Sequence, residues 1–354
     1  MKFSFNMFKG RTDLVGVAIG DAHVRAVQLV RNRDGAKVKG YAETVLPKTT
    51  FDASGGVDAE GLSKVFEKLF IKPAEGAFTT RDVAINLPES RCFVRLIHVS
   101  PMSDAELDEA VIFEAESYIP VPIDQVYLDW QRVEEVNGRL AILLLASPKV
   151  FVDKILEALA LAGLVCRAVE VESQGIARAI MPVGDKTSAL IVDMKAVGTD
   201  LVMVEKESIQ FTSTILIAGT NFTEAIAKGL DVPEARAEEI KIQAGFGNIE
   251  EYPNLKTLLM PVMNAWFAEL NKVLLFHDQH STDKIDRIVL VGGSASTKNL
   301  VEFLRTSITD RPDLKIELGD PTVNIKLEVP KTLAGGGLLA WVAAVGLAMK
   351  GLEE

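Results

Sequence analysis

Two strand-turn-strand patterns recur half a chain apart: VGVAIGDAHVRAV over 15–27 and LIVDMKAVGTDLV over 190–202, which puts Ala18 opposite Asp193 at a spacing of 175 residues in a chain of 354. Each is followed by a further strand and then by helical sequence. A hairpin repeated at half the length of a chain specifies a duplicated α/β domain, because each half closes its own sheet and the two pack as related lobes. A cleft between such halves is where this architecture takes a ligand.

The stretches between the repeats fill in the organisation. The β-rich runs over 14–30 and the apolar run at 40–47 form a meander. A helix is expected from Asp58 to Phe70, with Leu62, Val65, Phe66 and Leu69 at helical spacing, and a buried strand over Asp82–Leu87. From Glu89 the character changes. SRCFVRLIHVS alternates as a strand, Ser103 and Glu106 form a capping box before a helix that Pro120 ends, and two long strands meet at Asn137-Gly138, a strong hairpin signal. A helix over Val150–Ala162 then stops at Gly163. Strand, helix, hairpin, helix and strand make an α+β module whose ends return to one place, as an insertion does. Residues 220–282 read as almost wholly helical, the insertion of the second half. A strand over 285–291 runs into Gly292-Gly293-Ser294 and a helix over Asn299–Ser307, and 333–349 reads as a buried, close-packed helix.

Composition narrows the function. Lys and Arg number 38 against 49 Asp and Glu, a net charge of −11, the wrong sign for a surface that neutralises nucleic acid. The two cysteines, Cys92 and Cys166, sit among apolar neighbours, which excludes a disulfide framework and points to a reducing compartment. The N-terminus lacks the apolar core and cleavage site of a signal peptide, and the uncharged run at 333–349 is too short and too rich in Gly and Ala to span a bilayer. Lys2, Phe3, Phe5, Met7, Phe8, Lys9 and Arg11 form a basic aromatic tail, suited either to an anionic membrane surface or to loose docking.

Several short motifs carry less than they suggest. Gly292-Gly293 lets a ligand approach the backbone, and simple turn chemistry accounts for a Gly pair equally well. Gly292-Gly293-Ser294-Ala295-Ser296 lacks the closing Gly of a nucleophile elbow, and no His follows it to complete a triad in the usual order. Gly245-Phe246-Gly247 lacks the third Gly and preceding strand of a dinucleotide fingerprint. His277 and His280 at i,i+3 read as a polar helix end rather than a metal site.

The two hairpins, the Gly-Gly turn and the Gly-rich C-terminal segment resemble the actin and hexokinase superfamily. Within it the details are similar to the PilM family of type IV pilus assembly and, more distantly, to the FtsA family. The segments that carry the likeness are 103–130 (SDAELDEAVIFEAESYIPVPIDQVYLDW), 162–173 (AGLVCRAVEVES), 218–241 with its AEEIK, 290–296 (LVGGSAS) and 343–351 (AAVGLAMKG). The resemblance implies an α/β, duplicated ribonuclease H-like (actin-like ATPase) fold in two lobes. Subdomain 1A would comprise 1–88, 165–185 and 338–354; an SHS2-like 1C module 89–164; subdomain 2A 186–219 and 285–337; and a helical 2B 220–284.

By the same resemblance ATP and Mg²⁺ are the cofactors, held between the lobes by Gly20, Asp193, Lys195, Gly219, Asn221, Glu239, Lys241, Gly292, Gly293 and Ser294, with Asp193 toward the metal. The chain departs from the pattern at Ala18, where the first hairpin normally carries an acid, and at Lys195, where the second normally has Gly. Lys195 has two roles open to it: a phosphate cation, or a filler of the phosphate site paired with Asp193. The implied partner is a PilN-like bitopic membrane protein, whose cytoplasmic N-terminal tail would enter the 1A/1C cleft. The protein would then be a cytoplasmic scaffold, peripheral at the inner membrane, that couples the assembly platform to the pilus motor ATPase, with a homo-oligomer also open. A pseudo-ATPase adaptor of a type II secretion system and an active phosphotransferase are the alternatives.

Overall fold

The computed structural model describes residues 13–52, 56–136, 138–247, 250–281 and 283–352. The basic aromatic tail (Lys2 to Arg11) and Asn137 of the hairpin turn lie outside the described residues. The expected meander forms as β1 (Val15–Ile19), β2 (His23–Arg31) and β3 (Ala36–Val45). Helix α1 (Ala59–Ile71) starts at Asp58, whose side chain accepts from the Gly61 N–H at 2.9 Å, and buries its Leu62, Val65, Phe66 and Leu69 stripe. Strands β4 (Glu75–Gly76) and β5 (Asp82–Leu87) follow.

The module comprises β6 (Phe93–Val99), α2 (Asp104–Ala115), β7 (Val126–Val136), β8 (Arg139–Pro148) and α3 (Lys149–Leu161). The Ser103–Glu106 capping box is present in full. Leu107, Val111 and Ala115 of α2 pack against Ile97, Ile142 and Leu144 in a core of the module's own. The chain returns through β9 (Val165–Val171) and α4 (Glu172–Ile180).

The second half opens with β10 (Ala189–Met194), β11 (Thr199–Glu205) and β12 (Ser208–Ile215), continues through α5 (Gly219–Leu230), α6 (Glu234–Gln243) and α7 (Leu255–His280), and closes with β13 (Arg287–Val291), α8 (Leu300–Ser307), β14 (Lys315–Leu318), β15 (Leu327–Glu328) and α9 (Val342–Met349). Two sheets result. One contains the order β3-β2-β1-β5-β9 and the other β12-β11-β10-β13-β14. In each, the first three strands are antiparallel neighbours and the last three parallel ones. The duplication legible in the hairpins thus extends to complete five-stranded halves; one apolar cluster runs from the first lobe through the module to Ile191, Val202 and Val289 of the second sheet, and another is built from the second half.

Three features depart from the sequence reading. Leu327 and Glu328, expected in the second lobe, pair in parallel with Ala36 and Lys37 of β3 and extend the first sheet. The module, expected as an appendage of the first lobe, joins its sheet to the second through one residue pair, Phe211 with Arg95. The C-terminal segment is α-helical only from Val342, while Gly335–Trp341 winds as a tighter 3₁₀ turn, since three successive glycines resist an α-helix. Helix α9 lies close on α4: a Cβ built at Gly346 would stand 1.8 Å from the Gly175 carbonyl oxygen.

Candidate functional site

The first hairpin's turn and α4 face the second hairpin, the starts of α5 and the turn after β13 across a cleft of about 380 Å³. Ala18, Gly20, Glu172, Asp193, Lys195, Gly219, Lys241, Gly292, Gly293 and Ser294 line it, so eight of the ten expected cofactor-site residues converge there. Gly292 is required by its backbone, with φ +87° and no room for a side chain: its Cβ would stand 2.4 Å from Asp193 Oδ1. Only glycine meets both conditions at low cost.

Asn221 and Glu239 are placed elsewhere. The Asn221 side chain accepts from the Ala218 N–H at 2.9 Å and so caps α5. Glu239 points to solvent and pairs with Arg236 at 2.7 Å. Glu238 takes the cleft position, because on a helix the residue three before Lys241 shares its face and the residue two before does not. Lys241 is buried and donates to Glu238 (2.6 Å), Thr223 Oγ1 (2.9 Å) and the Gly219 carbonyl (3.1 Å). Its three hydrogens are thereby matched to acceptors of the protein itself.

The electrostatic centre of the cleft is Lys195. Its ammonium lies 2.5 Å from Asp200 Oδ2, 3.0 Å from Glu172 Oε2 and 3.9 Å from Asp21 Oδ2. It does not pair with Asp193, the partner considered from the sequence; Glu172 and Asp200 hold it instead. Burial would lower the Lys195 ammonium, but the carboxylates of Glu172, Asp200 and Asp21 outweigh it and hold the group well above the ordinary lysine range. Glu172 is pushed up to about 7, by burial first and then, against the pull of Lys195, by Asp200 and Asp21. Asp193, 5% exposed, is raised well above the usual carboxylate range by burial and by Glu172. Asp200 also accepts a 2.6 Å hydrogen bond from the Thr214 hydroxyl.

Several donors around the cleft are also engaged. The Gly219 N–H and the Ser294 hydroxyl both donate to the Lys195 carbonyl, at 3.0 and 3.2 Å. The Gly20 N–H donates to His23 O, and the Gly292 N–H to Leu339 O. The cleft volume falls in the range of about 300–1,000 Å³ usual for small-molecule sites. A divalent ion does not fit the residues as they stand. Glu172, Asp193 and Asp200 offer oxygens within 4.8 Å of one another, but the Lys195 ammonium already bonds two of the three.

Other expectations resolve simply. His277 is buried, and its Nε2 hydrogen-bonds Glu205 at 2.6 Å, tying α7 to β11. The Cys166 thiol is pushed up to about 12 by burial, and Cys92 well above its ordinary value for the same reason. Among the described residues, no helix is long and apolar enough to cross a membrane.

A second concavity, about 280 Å³, opens where module, first lobe and second lobe meet. Val133 and Leu143 of the module, Ala177 and Met181 from and beyond α4, and Val204 and Ile209 of the second sheet give it apolar walls. Gln131, Gln174 and Asn324 add amides.

Two five-stranded halves of one topology, facing each other across a cleft lined by Gly turns, define a two-lobed protein of the actin-like fold. The comparisons agree. A solved PilM-PilN type IV pilus biogenesis complex matches at 25% identity over 98% of this chain and 100% of that one, with a TM-score of 0.79. The ethanolamine utilization protein EutJ of Carboxydothermus hydrogenoformans, at 16% identity, covers 97% of this chain and 91% of its own, TM-score 0.55. MreB 5 of Spiroplasma citri, solved bound to AMPPNP, has 11% identity, coverages of 96% and 95%, and a TM-score of 0.51. The family model described as type IV pilus assembly protein PilM matches residues 16–352. The chain belongs to that family.

Proposed function

We propose that this protein is a cytoplasmic adaptor of the type IV pilus inner-membrane platform that grips the N-terminal tail of a PilN-like membrane protein and couples the platform to its motor. The observation that carries this reading is the groove where the module meets the first lobe and the edge of the second. It has apolar walls for a short apolar tail and amides to bond an extended backbone, the means by which a groove holds a peptide. The similarity in fold to a PilM-PilN complex supports the same partner class.

The interlobe cleft, on this reading, works as a clamp rather than an energy source. An adenine nucleotide bound there is held and not turned over. Phosphoryl transfer depends on positioned water and on stabilising charge spread over the phosphoryl oxygens; Ala18 supplies no carboxylate at its own position, Asp21 of the same hairpin faces Lys195 instead, and Lys195 and Lys241 are tied to the protein's own acids. The same absence at Ala18 weighs against a phosphotransferase.

The test uses peptides copied from the cytoplasmic N-terminus of the PilN-like protein, labelled for fluorescence anisotropy. Saturable binding is expected, and Val133→Glu in the groove should weaken it about tenfold or more in protein that is still folded at the assay temperature, with some loss of thermal midpoint because Val133 packs on the core. No saturable binding to the wild-type protein would overturn the partner assignment.

A further inference from the structure

We infer that Lys195 is a resident cation that takes the place of a divalent ion in the interlobe cleft and bridges the two lobes without one. The inference rests on reading the cleft as a nucleotide-type site, and it concerns what the chain itself supplies there. Three carboxylates, Asp21, Glu172 and Asp200, converge on one ammonium, and Asp193 stands beside Glu172 and Asp200. Asp21 and Glu172 come from the turn of the first hairpin and the start of α4, in the first lobe. Asp193, Lys195 and Asp200 come from the second hairpin. The ammonium therefore joins lobe to lobe through two close contacts, one to each side: 3.0 Å to Glu172 and 2.5 Å to Asp200.

Two independent observations show that this is a cation position and not merely a cluster of acids. One is occupancy by a positive group belonging to the chain. The other is Asp193, a carboxylate 5% exposed that lines the cleft and makes no hydrogen bond or ion pair of its own among the described residues. A buried polar group left without a partner is costly, and a carboxylate beside two others is the kind of group a metal would recruit. Mg²⁺ requires oxygens at about 2.0–2.1 Å in octahedral array. It cannot take Glu172 and Asp200 while an ammonium bonds both. Glycine at 195, the residue of the related pattern, would leave that volume empty and all three acids available.

From Lys195 the connection runs onward to the module. Glu172 is followed by Ser173, whose N–H and hydroxyl both donate to Glu89 at 3.2 and 3.3 Å, at the point where the chain enters the module. Asp200 accepts from Thr214 on β12, the strand that meets β6. One ammonium thus connects to two of the places where the module meets the rest of the chain, while α3 packs on α1 independently of it.

The test needs no nucleotide, so its failure is distinguishable from failure of the nucleotide reading, and no peptide, so it is independent of the adaptor reading. Mn²⁺ is titrated into the intact protein and followed by electron paramagnetic resonance, with Mg²⁺ and chelator compared in thermal unfolding. Wild type should show no saturable Mn²⁺ site in the micromolar range and a midpoint indifferent to Mg²⁺ or chelator. Lys195→Gly should gain one Mn²⁺ site at least about tenfold tighter than anything in wild type, and a midpoint that rises with Mg²⁺. Adding Asp193→Asn to Lys195→Gly should remove that site. A saturable site in wild type overturns the inference by itself, whatever the variants do, and so does a folded Lys195→Gly protein that binds no Mn²⁺. If Lys195→Gly does not fold without Mg²⁺, its recovery on refolding with Mg²⁺ supports the inference, and no recovery overturns it.

Discussion

Glu89 sits where the chain leaves the first sheet for the module, 4% exposed, with its carboxylate accepting from the Ser173 N–H and hydroxyl. Burial, and then the charge of Asp200, push its carboxyl from 4.5 up to about 7. A carboxyl raised in this way takes up a proton on folding, so its contribution is fully present below its unfolded value and is lost as pH rises through about 7. The linkage amounts to roughly 3 kcal/mol at most. Urea unfolding of the wild type should therefore show stability falling between pH of about 5 and 8, and Glu89→Gln should make that fall shallower, with Glu172 and Asp193, also raised by burial, carrying the rest. An identical pH slope in the variant would refute the assignment. Residues of this kind explain why the site was only partly legible. Asp193, Lys195 and the Gly turns announce themselves in the hairpin pattern. Glu172 and Asp200 do not, because nothing local marks either one. The hairpin register puts Asp193 directly opposite Asp200, however, and like charges facing each other across strands call for a cation nearby. Lys195, five residues from Asp200, was the clue.

At the scale of elements, the tightest joint is the one between α4 and α9. Gly346 lies against the Gly175 backbone, and on the other face of α9 a Cβ at Gly16 would stand 2.3 Å from the Ala344 carbonyl oxygen. The C-terminal helix thus slots between β1 and α4, where the missing side chains allow backbone to approach backbone. Gly346→Ala gains about 1 kcal/mol of intrinsic helix preference, but the strain of forcing a methyl into packed backbone costs about 3 kcal/mol or more. Net destabilisation is expected in urea unfolding. Gly337→Ala, whose added methyl meets nothing within 4 Å, should stay within about 0.5 kcal/mol of wild type. A neutral Gly346→Ala would mean that α9 has freedom to move away from α4. The elements with local signals, namely the Asp58 cap, the Ser103–Glu106 box and the strand at Asp82–Leu87, form where the sequence places them. The segment at 335–341 does not, since apolar periodicity is blind to the cost of three glycines in a row. The pairing of Leu327–Glu328 with β3 depends on a contact nearly three hundred residues away in sequence, and no local pattern encodes it.

Over the whole molecule, the repeat specified two matching halves and left open how the module sits against them. The structure answers with a seam thin in strand pairing but apolar in packing: β6 meets β12 through the single pair Arg95 and Phe211, whereas β6 and β8 are paired along their whole length, from Phe93–Ala146 to Val99–Leu140, and Val94, Leu143 and Leu145 share a buried cluster with Val202, Val204 and Ile209. Beside this seam lies the groove whose walls come from the module, the first lobe and the second lobe. A tail seated there touches three bodies at once, so its binding energy opposes any motion that opens the seam, in the way that a ligand specific to one state draws a population toward it. Backbone amides over 93–99 and 208–215 should accordingly exchange with deuterium more slowly when the PilN-like peptide is bound. Those of the β1–β2 hairpin, which lies in the interlobe cleft rather than the groove, should change less. Protection confined to the seam strands would make the tail a staple across the lobes. If the peptide bound without slowing exchange at either strand, the groove would be a docking site with no hold on the rest of the protein, and the coupling of tail to cleft would fail with it.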